Sequence, residues 1–282
     1  MNTSTRRQHR TTRGVRRHVV AALVIVAAAT AASLQSAAAA DTSTARRDNK
    51  SDDRFPQGNE PVNLKAKDFT INIDNRYWPM TPGTRWTYRE IDADGTEALV
   101  ELIVTNKTKK MANGIVTREI RDTVRVNGAV IEDTKDWYAQ DDDGNIWYFG
   151  EETAEFDNGQ VVSTAGSFEA YVKGALPGIL LPGSPKPGQK YRQEYFKGEA
   201  EDNGEVLSTH ELVEVPFGKY RDALLTRDTI TIKPDVQQYK LYAAGVGPAA
   251  SFNVSGGPFA RSELISVDTV GPTVGTGPLG NP

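Results

Sequence analysis

The stretch DWYAQDDDGNIWYFGEE, from Asp136 to Glu152, gathers the residue types in this chain that are best suited to chemistry. Two carboxylates on neighbouring strands beside aromatic rings could act as an acid/base pair of the glycoside hydrolase type. They could also hold a cation, or line a platform for an apolar or sugar ligand. Reading Asn127-Gly128 and Asp143-Gly144 as two-residue hairpin turns fixes a register by counting outward. Asp136 then faces Glu151, Glu119 faces Asp136, and Tyr138 faces Phe149. One sheet face carries Glu119, Arg121, Asp136, Tyr138, Gln140, Trp147, Phe149 and Glu151, and the other carries Ile120, Val124, Ile131, Trp137, Ala139 and Tyr148. Tyr138, Trp147, Phe149 and Gln140 are the candidate ligand-binding residues. Glu119, Asp136 and Glu151 form a candidate acidic cluster, either a cation site or an acid/base group, with Arg121 as the diagonal charge that offsets their repulsion.

The three aspartates at the hairpin tip belong to neither. Glu151 lies roughly 20 Å from them along the strand at ~3.3 Å per residue. Taking Asp141 as the first position of a calcium loop places Ile146 where the sharp-turn glycine belongs. The tip reads as a solvated turn. No residue is assigned a catalytic role, no cofactor is expected, and the sequence leaves a metal open.

Other chemistry is absent. The chain has no cysteine, and His210 is the one histidine beyond the first forty residues, which removes zinc sites and Cys/His nucleophilic pairs. No serine sits in a Gly-x-Ser-x-Gly turn, and GSPKPG at 183–188 lacks the Gly-Lys-Ser/Thr ending of a phosphate loop.

The elements that must position these residues are short alternating runs separated by turn residues, including 85–91, 98–104, 115–126, 129–140, 206–215, 224–232 and 238–243. They predict an all-β antiparallel meander forming an open or closed β-barrel or half-barrel over residues 66–270. One short helix over Ser167 to Leu176 is expected to cover it, with Phe168, Tyr171, Val172, Ala175 and Leu176 at 3/4 spacing.

The ends have different compositions. Residues 1–40 read as an export signal, with arginines at 6, 7, 10, 13, 16 and 17, an apolar run from Val19, and Ala38-Ala39-Ala40 before Asp41. Both the general secretory and the twin-arginine routes fit. Removing this segment takes six arginines and no acid, leaving 27 Lys+Arg against 37 Asp+Glu. A surface that acidic repels nucleic acid and anionic membranes. Residues 41–65 read as a disordered polar linker and 271–282 as a disordered Gly/Pro tail.

Three stretches, YWPMTPGTRWTY (77–88), VPFGKYRDAL (215–224) and YAAGVG (242–247), resemble a broad group of exported bacterial antiparallel β-sheet proteins, similar to the half-barrel carriers of lipoproteins and lipids. The resemblance implies one fold unit and no catalytic residues. Its departure is the missing cysteine, which leaves no lipid attachment point and hence no stable membrane anchor. Together these readings lead to a secreted protein that binds an apolar or amphipathic small molecule or a lipid. A carboxylate-based secreted hydrolase and a non-catalytic cell-envelope interaction module are the alternatives.

Overall fold

The structure is a computed structural model and describes residues 55–257 and 259–282. The expected export signal and the first part of the expected linker lie outside the described residues. The strands are β1 (Phe69–Thr70), β2 (Thr84–Asp92), β3 (Glu97–Lys110), β4 (Val116–Val126), β5 (Ala129–Asp141), β6 (Ile146–Asp157), β7 (Gln160–Ser163), β8 (Phe168–Glu169), β9 (Leu176–Leu181), β10 (Lys190–Arg192), β11 (Glu194–Tyr195), β12 (Asp202–Val215), β13 (Gly218–Ile230), β14 (Lys233–Ala243), β15 (Gly247–Ser255) and β16 (Phe259–Thr269). Their order is β10-β12-β13-β14-β15-β16-β2-β3-β4-β5-β6-β9-β11, all neighbours antiparallel.

This path nearly closes into a barrel, because one extended segment serves both ends. Lys190–Arg192 pairs with β12. One residue later, Glu194–Tyr195 pairs with β9, and between them the Gln193 amide donates to the Asp202 carbonyl at 2.7 Å. Closure removes the exposed strand edges that an open sheet would present.

The lower end, taken as the end where β2 begins, is plugged by residues 71–83. There Ile73 bridges Met80, and Trp78 packs on Trp86, Tyr138 and Tyr242 at ring separations of 6.3, 6.1 and 6.3 Å. Gly247 permits this contact, since a Cβ there would meet both indole rings at 3.1 Å.

The expected helix over Ser167 to Leu176 is not formed. Phe168–Glu169 pairs with β6, a turn with left-handed backbone at Tyr171 and Lys173 follows, and Leu176 begins β9. Exposed backbone donors and acceptors on β6 outweigh helical spacing. Gly150 lets β8 approach, since a Cβ there would lie 2.2 Å from the Phe168 carbonyl oxygen. The one helical element among the described residues is a single 3-10 turn, Ala66–Asp68.

Two segments of spacer-like composition lie along the wall, held by buried arginines. Arg192 donates to the carbonyls of Gly58 and Glu60 at 2.6 and 2.7 Å. Arg121 donates to those of Gly277 and Pro278, both at 2.8 Å.

Candidate functional site: a carboxylate-lined barrel interior

Along every strand that crosses the barrel, inward side chains alternate with outward ones. From the plugged end upward, the inward positions change from aromatic and aliphatic to polar. On β2 they run Trp86, Tyr88, Glu90, and on β6 Tyr148, Glu151, Thr153, Glu155. On β13 they run Leu224, Thr226, Asp228. The antiparallel strands read the same way in reverse: Glu132, Thr134, Asp136, Tyr138 on β5, Gln238, Lys240, Tyr242 on β14, and Asp202, Gly204, Val206 on β12. The registers place these residues side by side: Asp136 opposite Ile120 and Glu151, Asp122 opposite Leu102 and Thr134, Glu132 opposite Val124 and Glu155, and Glu90 opposite Ala98 and Ser262.

The acids are sealed from solvent. Glu90, Asp136 and Asp202 are 0% exposed, Asp122 and Glu132 1%, Glu151 2% and Glu194 3%. Both carboxylate oxygens of Glu90, Asp122, Glu132 and Asp202 lack a hydrogen-bond donor within the protein, as does one oxygen each of Asp136, Glu151 and Glu194. The buried cation of this group, Lys240, is engaged with Asp228 at 2.8 Å. Burial, and after it the neighbouring carboxylates, raises Asp122, Glu132, Glu151 and Glu194 well above the usual carboxylate range. Asp202 is raised by burial against the opposing pull of Lys240. These directions follow from the cost of an ionised group in a low dielectric.

Asp136 and Glu151 form the best-defined part. The Tyr148 hydroxyl lies 2.8 Å from Asp136 Oδ1 and 2.7 Å from Glu151 Oε2. A hydroxyl carries one proton, so it donates to one carboxylate and accepts from the other, which must then be a carboxylic acid. Burial raises Asp136 to about 7, with the Tyr148 hydrogen bond pulling in the opposite direction. Tyr138 stacks on Tyr148 at 4.9 Å. Its own hydroxyl, fully buried, has no partner in the protein.

The sequence-predicted residues do not all come together. Tyr138, Asp136 and Glu151 come together inside the barrel, and the expected pairing of Asp136 with Glu151 is observed. Trp147 and Phe149 face the outer side and are covered by Phe69 of β1 at 6.2 and 5.7 Å. Gln140 holds the plug, accepting from the Asp74 amide at 3.0 Å and donating to its carboxylate at 2.6 Å. Arg121 turns outward to pair with Asp133 at 2.5 Å and does not offset the interior acids. Glu119 stands opposite Trp137 rather than Asp136, and accepts from the Thr105 hydroxyl at 3.2 Å.

These displacements come from two bulges and a longer turn. The Asp143-Gly144 loop closes as a three-residue loop, with the Asp141 amide donating to Asn145 and the Gly144 amide to Asp141. This pairs Tyr138 with Tyr148 instead of Phe149. A bulge between Tyr138 and Asp136 then restores the expected register at Glu151, and another at Val124/Arg125 moves β4 by one residue. A one-residue slip exchanges the two faces of a strand.

The expected register set Tyr148 on the opposite face, and Glu90, Asp122, Glu132, Glu194, Asp202 and Lys240 were not among the candidate site residues. The signal for them was an acid at the inward parity of otherwise apolar strands, as in Glu132-Asp-Thr-Lys-Asp136. A cavity of about 430 Å³ opens at the seam of β6 and β8, lined by Trp137, Phe168, Val172, Ala175 and Phe196, with Glu151 on its wall. Among the described residues, no three metal-ligating side chains converge closely enough to hold a metal ion, and no helix is long and apolar enough to cross a membrane.

No protein-family model and no curated protein matches the chain. Among solved structures it is similar to a candidate exported protein with a YmcC-like fold from Bacteroides fragilis, at 16% identity over 69% of this chain and 100% of that one, with a TM-score of 0.42. It is also similar to a candidate lipoprotein from Parabacteroides distasonis, at 11% identity over 69% of this chain and 99% of that one, with a TM-score of 0.35.

Proposed function

We propose that the protein is an exported barrel that binds an amphipathic small molecule in its interior, with the apolar part over the aromatic end and the polar part among the carboxylates. The basic, apolar and alanine-rich succession of residues 1–40 supports export. The observation that carries the binding reading is the interior itself: carboxylate oxygens without protein donors, 0–3% exposed, stand above a packed aromatic floor. Uncompensated buried polar groups cost stability, so their presence favours a ligand that supplies hydrogen-bond donors. The experiment is native mass spectrometry of the secreted protein before and after organic extraction, paired with thermal shifts on adding single-chain amphiphiles. A bound mass that extraction removes is expected, with a higher melting temperature on re-addition. A clean apo mass and no shift with any amphiphile would sink the reading.

A second reading, carboxylate-based hydrolysis, is favoured by one feature. Asp136 and Glu151 meet at one hydroxyl and burial raises both, so the pair offers a carboxylic acid beside a second carboxyl group, the residue types an acid/base pair uses. Glycoside turnover that Asp136→Asn abolishes in a folded protein would establish it.

A further inference from the structure

We infer that the polar part of the ligand is an amine, seated among Glu151, Asp136 and Glu194 and entering through the cavity at the β6–β8 seam. This rests on the binding reading above and names the chemistry of its head group.

Three observations carry it. First, of the four buried cations among the described residues, three are committed elsewhere, and the fourth, Arg118, reaches the Thr105 carbonyl at 3.4 Å with its Nε left without a partner and forms no ion pair with these acids. Lys240 pairs with Asp228, Arg121 with Asp133 and the residues at 277–278, and Arg192 with backbone carbonyls at 58, 60 and 177. The acceptors at Glu151 Oε1, Asp136 Oδ2 and Glu194 Oε2 are left without a donor. An ammonium brings charge and up to three N–H donors, and charge-assisted hydrogen bonds are roughly twice as strong as neutral ones.

Second, the Tyr138 hydroxyl, fully buried beside the same carboxylates, also has no partner in the protein. It can accept from an N–H or turn its own proton to a carboxylate once the ligand is in place. The acids do not converge within the short reach of metal ligation, whereas an ammonium, with N–H···O⁻ contacts of ~2.7–2.9 Å, takes acceptors set wider apart.

Third, the cavity joins an aromatic wall to this carboxylate group through Glu151. Lys109 Nζ sits 3.4 Å from the centre of the Trp137 ring on that wall, while pairing with Glu169 at 2.8 Å. The wall therefore already holds one ammonium over a ring face, the geometry that attracts cations. Phe168, edge-on to Tyr148 at 5.4 Å, connects the cavity to the stacked tyrosines.

The test uses the secreted, extracted protein and three probes of one chain length below their micelle concentrations: dodecylamine, dodecyl maltoside and dodecanoate. Dissociation constants come from calorimetry at 150 mM salt, and stoichiometry from native mass spectrometry. Dodecylamine is expected to bind one to one, at least tenfold tighter than the other two. Glu151→Gln, and separately Glu194→Gln, should weaken it about tenfold with dodecyl maltoside unaffected and circular dichroism unchanged. If the maltoside or dodecanoate binds as tightly as the amine, or if both variants bind the amine as the parent does, the amine assignment is overturned while the binding reading stands. If none of the three binds, both fall.

Discussion

The two ends of the barrel interior are built on the same strands and differ in how their side chains are satisfied. At the plugged end, two ring edges find partners, Trp86 Nε1 donating to the Val246 carbonyl at 2.7 Å and the Tyr88 hydroxyl to the Pro248 carbonyl at 3.0 Å, while Trp78 Nε1 has none in the protein. That end is a packed aromatic core. At the other end the same inward parity carries carboxylates that outnumber their donors. Strand formation requires only that side chains alternate, so a barrel can hold a core and a polar chamber within one sheet. The difference sets a packed aromatic core and a group of unsatisfied acids on one set of strands, and the expectation to test is that folding stability is concentrated at the first.

Four measurements would break or sharpen this contrast. Trp86→Ala should cost about 3–5 kcal/mol, by cavity formation and loss of ring contacts. At 2–4 °C per kcal/mol for a domain of this size, that is a drop of roughly 10–15 °C by calorimetry. A drop under about 3 °C would mean the plugged end is not the stabilising core.

Next in size is a pH effect of unusual sign. An acid that holds its proton more tightly when folded contributes stability that is complete below its unfolded pKa and is lost as pH rises through the folded one. For Asp136 that window runs from the ordinary 3.8 to about 7. At about 1.4 kcal/mol per pH unit, the apo protein should lose about 3 kcal/mol between pH 5 and pH 8. A melting temperature that rises over that interval would contradict the buried acid chamber.

Smaller again, Asp136→Asn should stabilise the apo protein at pH 8 by about 1–2 kcal/mol and flatten its pH profile, because an uncompensated buried charge is removed. Chemical denaturation at pH 8 reads this directly, and equal destabilisation at both ends of the barrel would erase the contrast. Last, Asp142→Ser at the exposed hairpin tip should move stability by less than about 0.5 kcal/mol. A larger change would give the Asp142 side chain a structural part beside that of Asp141, which accepts from the Asn145 amide and Trp147 Nε1 at 2.9 and 2.7 Å.

Parts of this arrangement were legible in the sequence, and the reason differs from residue to residue. Asn127-Gly128 specified its turn, with φ of 51° and 81° at the two positions, because few dipeptides tolerate that backbone. The antiparallel barrel followed from alternation. Asp136 opposite Glu151 was read correctly although Tyr138 opposite Phe149 was not, since the longer loop and the bulge cancel by the time the strand reaches Glu151. The bulge beside Arg125 leaves no compositional mark, the one before Glu151 shows only as Gly150 at φ 129°, and the extra loop residue is hidden in Asp-Asp-Asp-Gly, so the face assignments of Arg121 and Trp147 were out of reach of counting. The helix expected over Ser167 to Leu176 failed for a related reason: spacing describes a segment alone, whereas the unpaired edge of β6 decided its conformation. Glu194 and Asp202 come near Glu151 only through barrel closure, which no local pattern encodes.

The outward Arg121–Asp133 pair bears on the order of assembly. Its strands are hairpin neighbours and can meet early, yet its burial depends on residues 277–280: Arg121 donates to the Gly277 and Pro278 carbonyls, and the Gly280 amide donates to Asp133 at 2.7 Å. Those residues follow β16, which must first take its place between β15 and β2. Contacts between groups so far apart along the chain carry a large loop-closure cost and form late. The pair therefore passes from a solvated surface bridge to a buried one only when the barrel wall is complete, which makes it a chemical record of finished folding on the outside of the molecule.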